Sequence, residues 1–81
     1  MQIRYSDQAL KSLVQLPDSI QRQFYKQARF LGHNLLHPSL RAKKYHEPSN
    51  LCQARVNRDW RFYFSIEKDI YYIHDIIPHP K

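Results

Sequence analysis

The chain is predicted to be α+β, with a two-helix hairpin packed on one face of a small, twisted, mostly antiparallel sheet. Two changes of period along the sequence predict it. Ile20, Phe24, Ala28, Leu31 and Leu35 recur at helical spacing. From Lys43 onward, apolar and polar residues instead alternate with period two. Pro17 and Pro38 punctuate the helical half, and a β-rich opening precedes it. The expected order is β-α-α-β-β-β with a further strand.

Gln2 to Tyr5 is a short strand, and Ser6 follows it as a helix cap. Leu10, Leu13 and Val14 define the inward face of a first helix of about ten residues. Pro17 stops that helix. Asp18 and Gln21 are spaced as a capping box for the second helix. Gln21, Arg22, Gln23, Lys26, Gln27 and Arg29 cover its polar side. Residues 37–42 form a connecting loop, Lys43 to His46 a weak strand, and residues 47–50 a turn. Leu51 to Val56 points Cys52, Ala54 and Val56 to the core and Gln53 and Arg55 away from it. Trp60 to Ile66 repeats the scheme, with Arg61, Tyr63 and Ser65 on the polar face. Ile70 to Ile77 is apolar on both faces apart from His74 and Asp75, so it is expected to be central in the sheet.

Eighty-one residues make one domain, residues 1–81, whose core must be won with large side chains; 14% of the chain is aromatic. A single glycine excludes a Gly-rich phosphate loop. The one cysteine, Cys52, excludes an internal disulfide and fits a reducing compartment. No apolar signal segment opens the chain, and no run approaches a membrane span. The expectation is a soluble cytoplasmic protein.

The net charge of +6 points to an anionic partner. Residues 1–40 carry +3, residues 41–61 carry +4 and residues 62–81 carry −1, so the middle quarter holds the largest share. Its focus is a predicted hairpin from Arg55 to Phe64, with Asn57-Arg58-Asp59 as the turn. Trp60, Phe62 and Phe64 supply the apolar face the hairpin needs. The arginines Arg55, Arg58 and Arg61 are not needed for that, and their mutual repulsion calls for a polyanion. Arg55 and Arg61 should project from one sheet face on neighbouring strands and grip a phosphate from two sides. Arg41, Lys43 and Lys44 precede the hairpin; the lysines either line the same groove or are solvated edge charges that deter aggregation.

His79, in Pro78-His79-Pro80-Lys81, emerges beside the sheet from a buried strand. Imidazole titrates near neutrality and suits proton transfer. His33 and His37 stand four apart, but no third ligand accompanies them, and no metal site is assigned. His46 and His74 have no evident partner beyond Asp75. Cys52 and the Tyr71-Tyr72 pair read as packing. No paired carboxylates and no Ser/His/Asp set are present.

Several stretches resemble the RelE/ParE superfamily of bacterial toxin–antitoxin toxins. They are His37-Pro38-Ser39-Leu40-Arg41-Ala42-Lys43-Lys44, Ala54-Arg55-Val56, Asp59-Trp60-Arg61-Phe62-Tyr63-Phe64 and Asp75-Ile76-Ile77-Pro78-His79. Their order and spacing carry the resemblance over nearly the whole chain. The fold it implies is the one read above. It also implies a type II toxin that cleaves mRNA on the ribosome without metal or cofactor and so inhibits translation.

In that family the arginine opening the strand after the hairpin turn supports the scissile phosphate, and Arg61 matches it. A C-terminal histidine serves as acid or base in the YoeB-type branch, and His79 falls at the matching separation of 18 residues from Arg61. Arg55 matches a frequent basic position. The usual tryptophan before this strand's basic residue is replaced by Cys52, and the catalytic glutamate of that branch has no clear counterpart. His79, Lys44 and Glu47 are therefore the candidate bases. Arg41, Lys43, Lys44, Arg58 and Lys81 are the candidate RNA or ribosome contacts. The implied partners are a cognate antitoxin, the ribosome with its mRNA, and operator DNA only through the antitoxin complex; no membrane is implied. The alternatives are a ParE-like toxin that poisons DNA gyrase, and an inactive relative acting as an antitoxin-bound co-repressor.

Overall fold

The computed structural model describes residues 2–46 and 50–79. Strand β1 (Gln2–Tyr5) leads into helix α1 (Asp7–Gln15) and helix α2 (Asp18–His33). A single 3-10 turn (Pro38–Leu40) then feeds β2 (Lys43–His46), β3 (Leu51–Arg55), β4 (Trp60–Glu67) and β5 (Ile70–Pro78). The five strands form one sheet in the order β1-β5-β4-β3-β2, antiparallel except where β1 runs parallel to β5. The architecture is the predicted one. The middle strand is β4, however, not the last strand. β5 is interior, flanked by β1 and β4, which accounts for its apolar character on both faces.

Ser6 caps α1 as expected: its Oγ accepts from the Ala9 N–H at 3.0 Å. The same hydroxyl donates to the His74 carbonyl at 2.8 Å, so the cap also ties the helix to β5. That tether turns α1 away from the predicted face. Ala9, Leu13 and Leu16 are buried, whereas Leu10 is 48% and Val14 75% exposed. Both stripes satisfy helical period, and the anchor at Ser6 chooses between them. Ser12 lies on the packed side and donates to the Asp75 carboxylate at 2.6 Å.

The Asp18–Gln21 capping box is not formed; Pro17 is the N-cap of α2, with no side-chain cap. The Gln21 Nε2 instead donates to the carbonyls of Leu13 (2.8 Å) and Leu16 (3.2 Å), satisfying the end of α1. Phe24, Ala28 and Leu31 are buried as read, and Phe24 meets Phe62 edge-on at 5.3 Å between ring centroids. Gln27, expected outside, is buried among them. The helix ends at His33, so Leu35 packs on the core from the following segment. Phe24, Leu31, Leu40, Phe62, Phe64 and Ile73 make the fully buried centre between the helices and the sheet.

Candidate functional site

The β3–β4 hairpin pairs Ala54 with Phe62 and Cys52 with Phe64 on the helix side of the sheet. The alternate pairs, Arg55 with Arg61 and Gln53 with Tyr63, point to the opposite face. Asn57 builds the turn: its side-chain oxygen accepts from the N–H groups of Asp59 (2.8 Å) and Trp60 (2.9 Å). The His79 N–H donates to the Asp59 carbonyl at 2.7 Å, which docks the segment after β5 on this turn.

These constraints create a small cleft of about 220 Å³ lined by Arg41, Lys43, Gln53, Arg55, Arg61 and His79. Four of the six are arginine or lysine, and no carboxylate among the described residues lines the cleft. Burial first, then the neighbouring Arg55 and Arg41, lower the proton affinity of Arg61. A guanidinium keeps its charge regardless; the part of the shift that comes from Arg55 and Arg41 reflects a local positive potential that a bound anion would relieve.

Arg61 is held by the turn it follows. Its Nη1 donates to the carbonyls of Asn57 (2.5 Å), Trp60 (3.0 Å) and Arg58 (3.3 Å). None of its bonds to the described residues uses Nε or Nη2. The guanidinium is thus oriented at one corner, leaving an edge that suits two phosphate oxygens. Arg41 reaches the cleft from a left-handed backbone conformation, φ 45° and ψ 43°, at the end of the 3-10 turn. A non-glycine residue there costs about 1 kcal/mol.

Arg41, Lys43, Arg55, Arg61 and His79 are therefore brought together. Lys44 is not: it pairs with Cys52, whereas Lys43 pairs with Gln53. The two lysines consequently face opposite sides of the sheet, and Lys44 borders an apolar pocket with Leu35, Leu36 and Phe64. Arg58 sits outside the cleft at the tip of the turn, 88% exposed, 3.9 Å from the Asp59 carboxylate. Glu47 and Lys81 lie outside the described residues. His33 ends α2, and His37 lies beyond it, stacked on Phe30 at 3.9 Å with its Nδ1 accepting from the Ser39 N–H. Those histidines do not share a helical turn. Among the described residues, no group of three or more His, Cys, Asp or Glu is placed to hold a metal. No helix among the described residues is long and apolar enough to cross a membrane.

Two arrangements escaped the sequence reading, of which the first supports the cleft and the second lies outside it. Gln27 donates from Nε2 to the carbonyls of Arg55 (2.8 Å) and Ser39 (3.1 Å), fixing the strand end that bears Arg55 to the 3-10 turn that leads to Arg41. A buried glutamine on a helix has no periodic signature that sets it apart from its exposed neighbours. His74 is the extra residue of a bulge in β5, between the Tyr63–Asp75 and Phe64–Ile73 pairs, and its Nε2 lies 2.8 Å from the Ser65 hydroxyl.

No protein-family model matches the chain, and no curated protein matches it. Solved structures do. RelE in the archaeal RelE–RelB complex of Pyrococcus horikoshii superimposes with a TM-score of 0.79 at 21% identity, over 95% of this chain and 92% of that one. The heterotetrameric YoeB–YefM toxin–antitoxin complex of Staphylococcus aureus gives 0.79 at 15% identity, over 99% and 98%. A YoeB/ParE toxin of Agrobacterium tumefaciens gives 0.81 at 9% identity, over 99% and 100%. The chain has the fold of these toxins along nearly its whole described length.

Proposed function

We propose that this chain is a RelE-like toxin of a type II toxin–antitoxin system, acting as a metal-independent endoribonuclease on mRNA at the ribosome. The observation that carries the reading is the convergence of Arg41, Lys43, Arg55, Arg61 and His79 on one cleft, which no carboxylate among the described residues lines. An anionic backbone fits it, and a histidine beside it supplies proton transfer. The shared fold adds support, since it occurs in proteins solved with their antitoxins.

The reaction is a transesterification within the substrate and consumes no co-reactant. The ribose 2′-oxygen forms a bond to the adjacent phosphorus while the bond from phosphorus to the 5′-oxygen breaks. The products are a 2′,3′-cyclic phosphate and a free 5′-hydroxyl. The 2′-hydroxyl gives up its proton to solvent, and a protonated imidazole supplies one to the departing 5′-oxygen, so the step balances. Arg61, through the edge its turn leaves open, and Arg55 stabilise the charge gathering on the phosphoryl oxygens, a contribution of about 3 kcal/mol. His79 is assigned the proton transfer to the 5′-oxygen, worth roughly 10²–10⁴-fold. Among the described residues, Lys44 does not line the cleft and His79 does, so His79 is the side chain assigned to proton transfer there.

A cognate antitoxin is the expected partner, neutralising the cleft by covering it. Primer extension on cellular mRNA after induction tests the reading. Discrete cleavages within translated codons are expected. A DNA damage response without such cleavages would overturn it in favour of gyrase poisoning, and the absence of both would leave a non-toxic co-repressor.

A further inference from the structure

The sheet face that carries the cleft continues into an aromatic pair. Tyr45 lies two residues beyond Lys43 in β2, and Tyr63 two residues beyond Arg61 in β4. Residues two apart in a strand share a face and stand about 6.5–7 Å from one another. β3 runs between these strands, and its Gln53 is the register partner of both Lys43 and Tyr63. Tyr45 reaches over β3 to Tyr63, with ring centroids 5.1 Å apart and planes at 69°.

The core does not require this arrangement. Tyr45 is the extra residue of a bulge in the edge strand, between the Lys44–Cys52 and His46–Leu51 pairs. Bulges re-aim a side chain and recur beside functional sites. The ring so aimed is 58% exposed, an apolar surface that an edge strand would otherwise avoid. Burial first and then Tyr45 raise the proton affinity of the Tyr63 phenol, with Arg61 opposing; a phenol is neutral near pH 7 in any case and does not repel phosphate.

Resting on the reading of the cleft as an RNA phosphate site, we propose that Tyr45 and Tyr63 form a stacking platform for a base of single-stranded RNA. The base belongs to the nucleotide adjoining the phosphate held by Arg55 and Arg61. Aromatic rings beside a basic groove are the usual means of holding single strands, because every base has a π-face. Cleft and platform are one strand step apart, within the reach of one nucleotide.

Fluorescence anisotropy with two labelled oligomers of equal length tests this: a short RNA, and a ribose-phosphate chain without bases. Wild type is expected to bind the RNA roughly 5- to 100-fold more tightly than the base-free chain. Tyr45→Ala should remove most of that preference, Tyr45→Trp should keep it, and affinity for the base-free chain should stay the same in all three. Tyr45→Leu, apolar but not aromatic, should behave as Tyr45→Ala and provides the test should alanine disturb the strand. Equal binding of both oligomers by wild type would overturn the platform while leaving the phosphate cleft. A preference that survives both Tyr45→Ala and Tyr63→Leu would overturn it as well. Binding of neither oligomer would overturn the phosphate reading of the cleft and the platform with it.

Discussion

Arg55 and Arg61 are direct cross-strand partners on the open face of the β3–β4 hairpin, and both line the same cleft. Like charges placed opposite each other in a sheet destabilise it by about 0.2–1 kcal/mol. The two are not equivalent, because Arg61 also closes the hairpin turn through three backbone carbonyls. Arg55→Gln should therefore raise the urea midpoint, with a gain of about 0.2–1 kcal/mol. Arg61→Ala relieves the same repulsion but forfeits carbonyl bonds worth about 0.5–1.5 kcal/mol each, so it should not stabilise. Equal stabilisation by both variants would show that the carbonyl bonds contribute nothing.

The side chain of His79 should matter for chemistry and not for folding. Its backbone N–H, not its ring, holds the segment to Asp59, and the ring is exposed beside the cleft. His79→Ala is expected to abolish growth arrest and cut mRNA cleavage roughly 10²–10⁴-fold, with the thermal midpoint unchanged. Arg61→Lys should lose activity too, because an ammonium is a point charge that cannot hold the turn carbonyls and grip two phosphate oxygens at once. Growth arrest at wild-type strength in His79→Ala would remove that residue from the mechanism.

How far the site was legible depended on which regularity carried each residue. Strand alternation is strict, so the pairing of Arg55 with Arg61 and the burial of Ala54, Phe62 and Phe64 could be read directly. The same rule separates Lys43 from Lys44, although both had been grouped by charge. Helical period is weaker, since Ala9-Leu13-Leu16 and Leu10-Leu13-Val14 are both plausible stripes, sharing only the buried Leu13. A tertiary contact, Ser6 to the His74 carbonyl, chooses the first. The bulges at Tyr45 and His74 and the burial of Gln27 depend on partners distant in sequence, which no local pattern announces.

Gln27 offers a test of how the site is held from behind. It is buried, and its amide serves the carbonyls of Arg55 and Ser39 while its oxygen accepts from the Ser39 hydroxyl at 3.3 Å. Gln27→Leu matches its bulk but leaves those carbonyls without a donor, a loss of about 1–3 kcal/mol. Urea denaturation should show that loss. Cleavage should fall as well, because the carbonyl released belongs to Arg55 and the 3-10 turn released leads to Arg41. Unchanged stability in Gln27→Leu would mean that water replaces the amide without penalty.

Three tyrosines should contribute to the loss of stability at alkaline pH. Burial raises the proton affinity of the Tyr71 hydroxyl in the core and, with the neighbouring Tyr25, that of Tyr5. Tyr63 is raised by burial and by Tyr45, with Arg61 opposing. In the unfolded chain these phenols release protons near pH 10, before they do so in the folded protein. Their contribution to stability is therefore complete below that value and is lost as pH rises through it towards the raised folded values. Tyr71→Phe removes the hydroxyl of the least exposed of these residues, 3% exposed and edge-on to Phe64. Between about pH 8 and about pH 10.5, denaturation midpoints should fall less in Tyr71→Phe than in wild type. An equal fall would exclude Tyr71 as the source and assign the loss to Tyr5 and Tyr63.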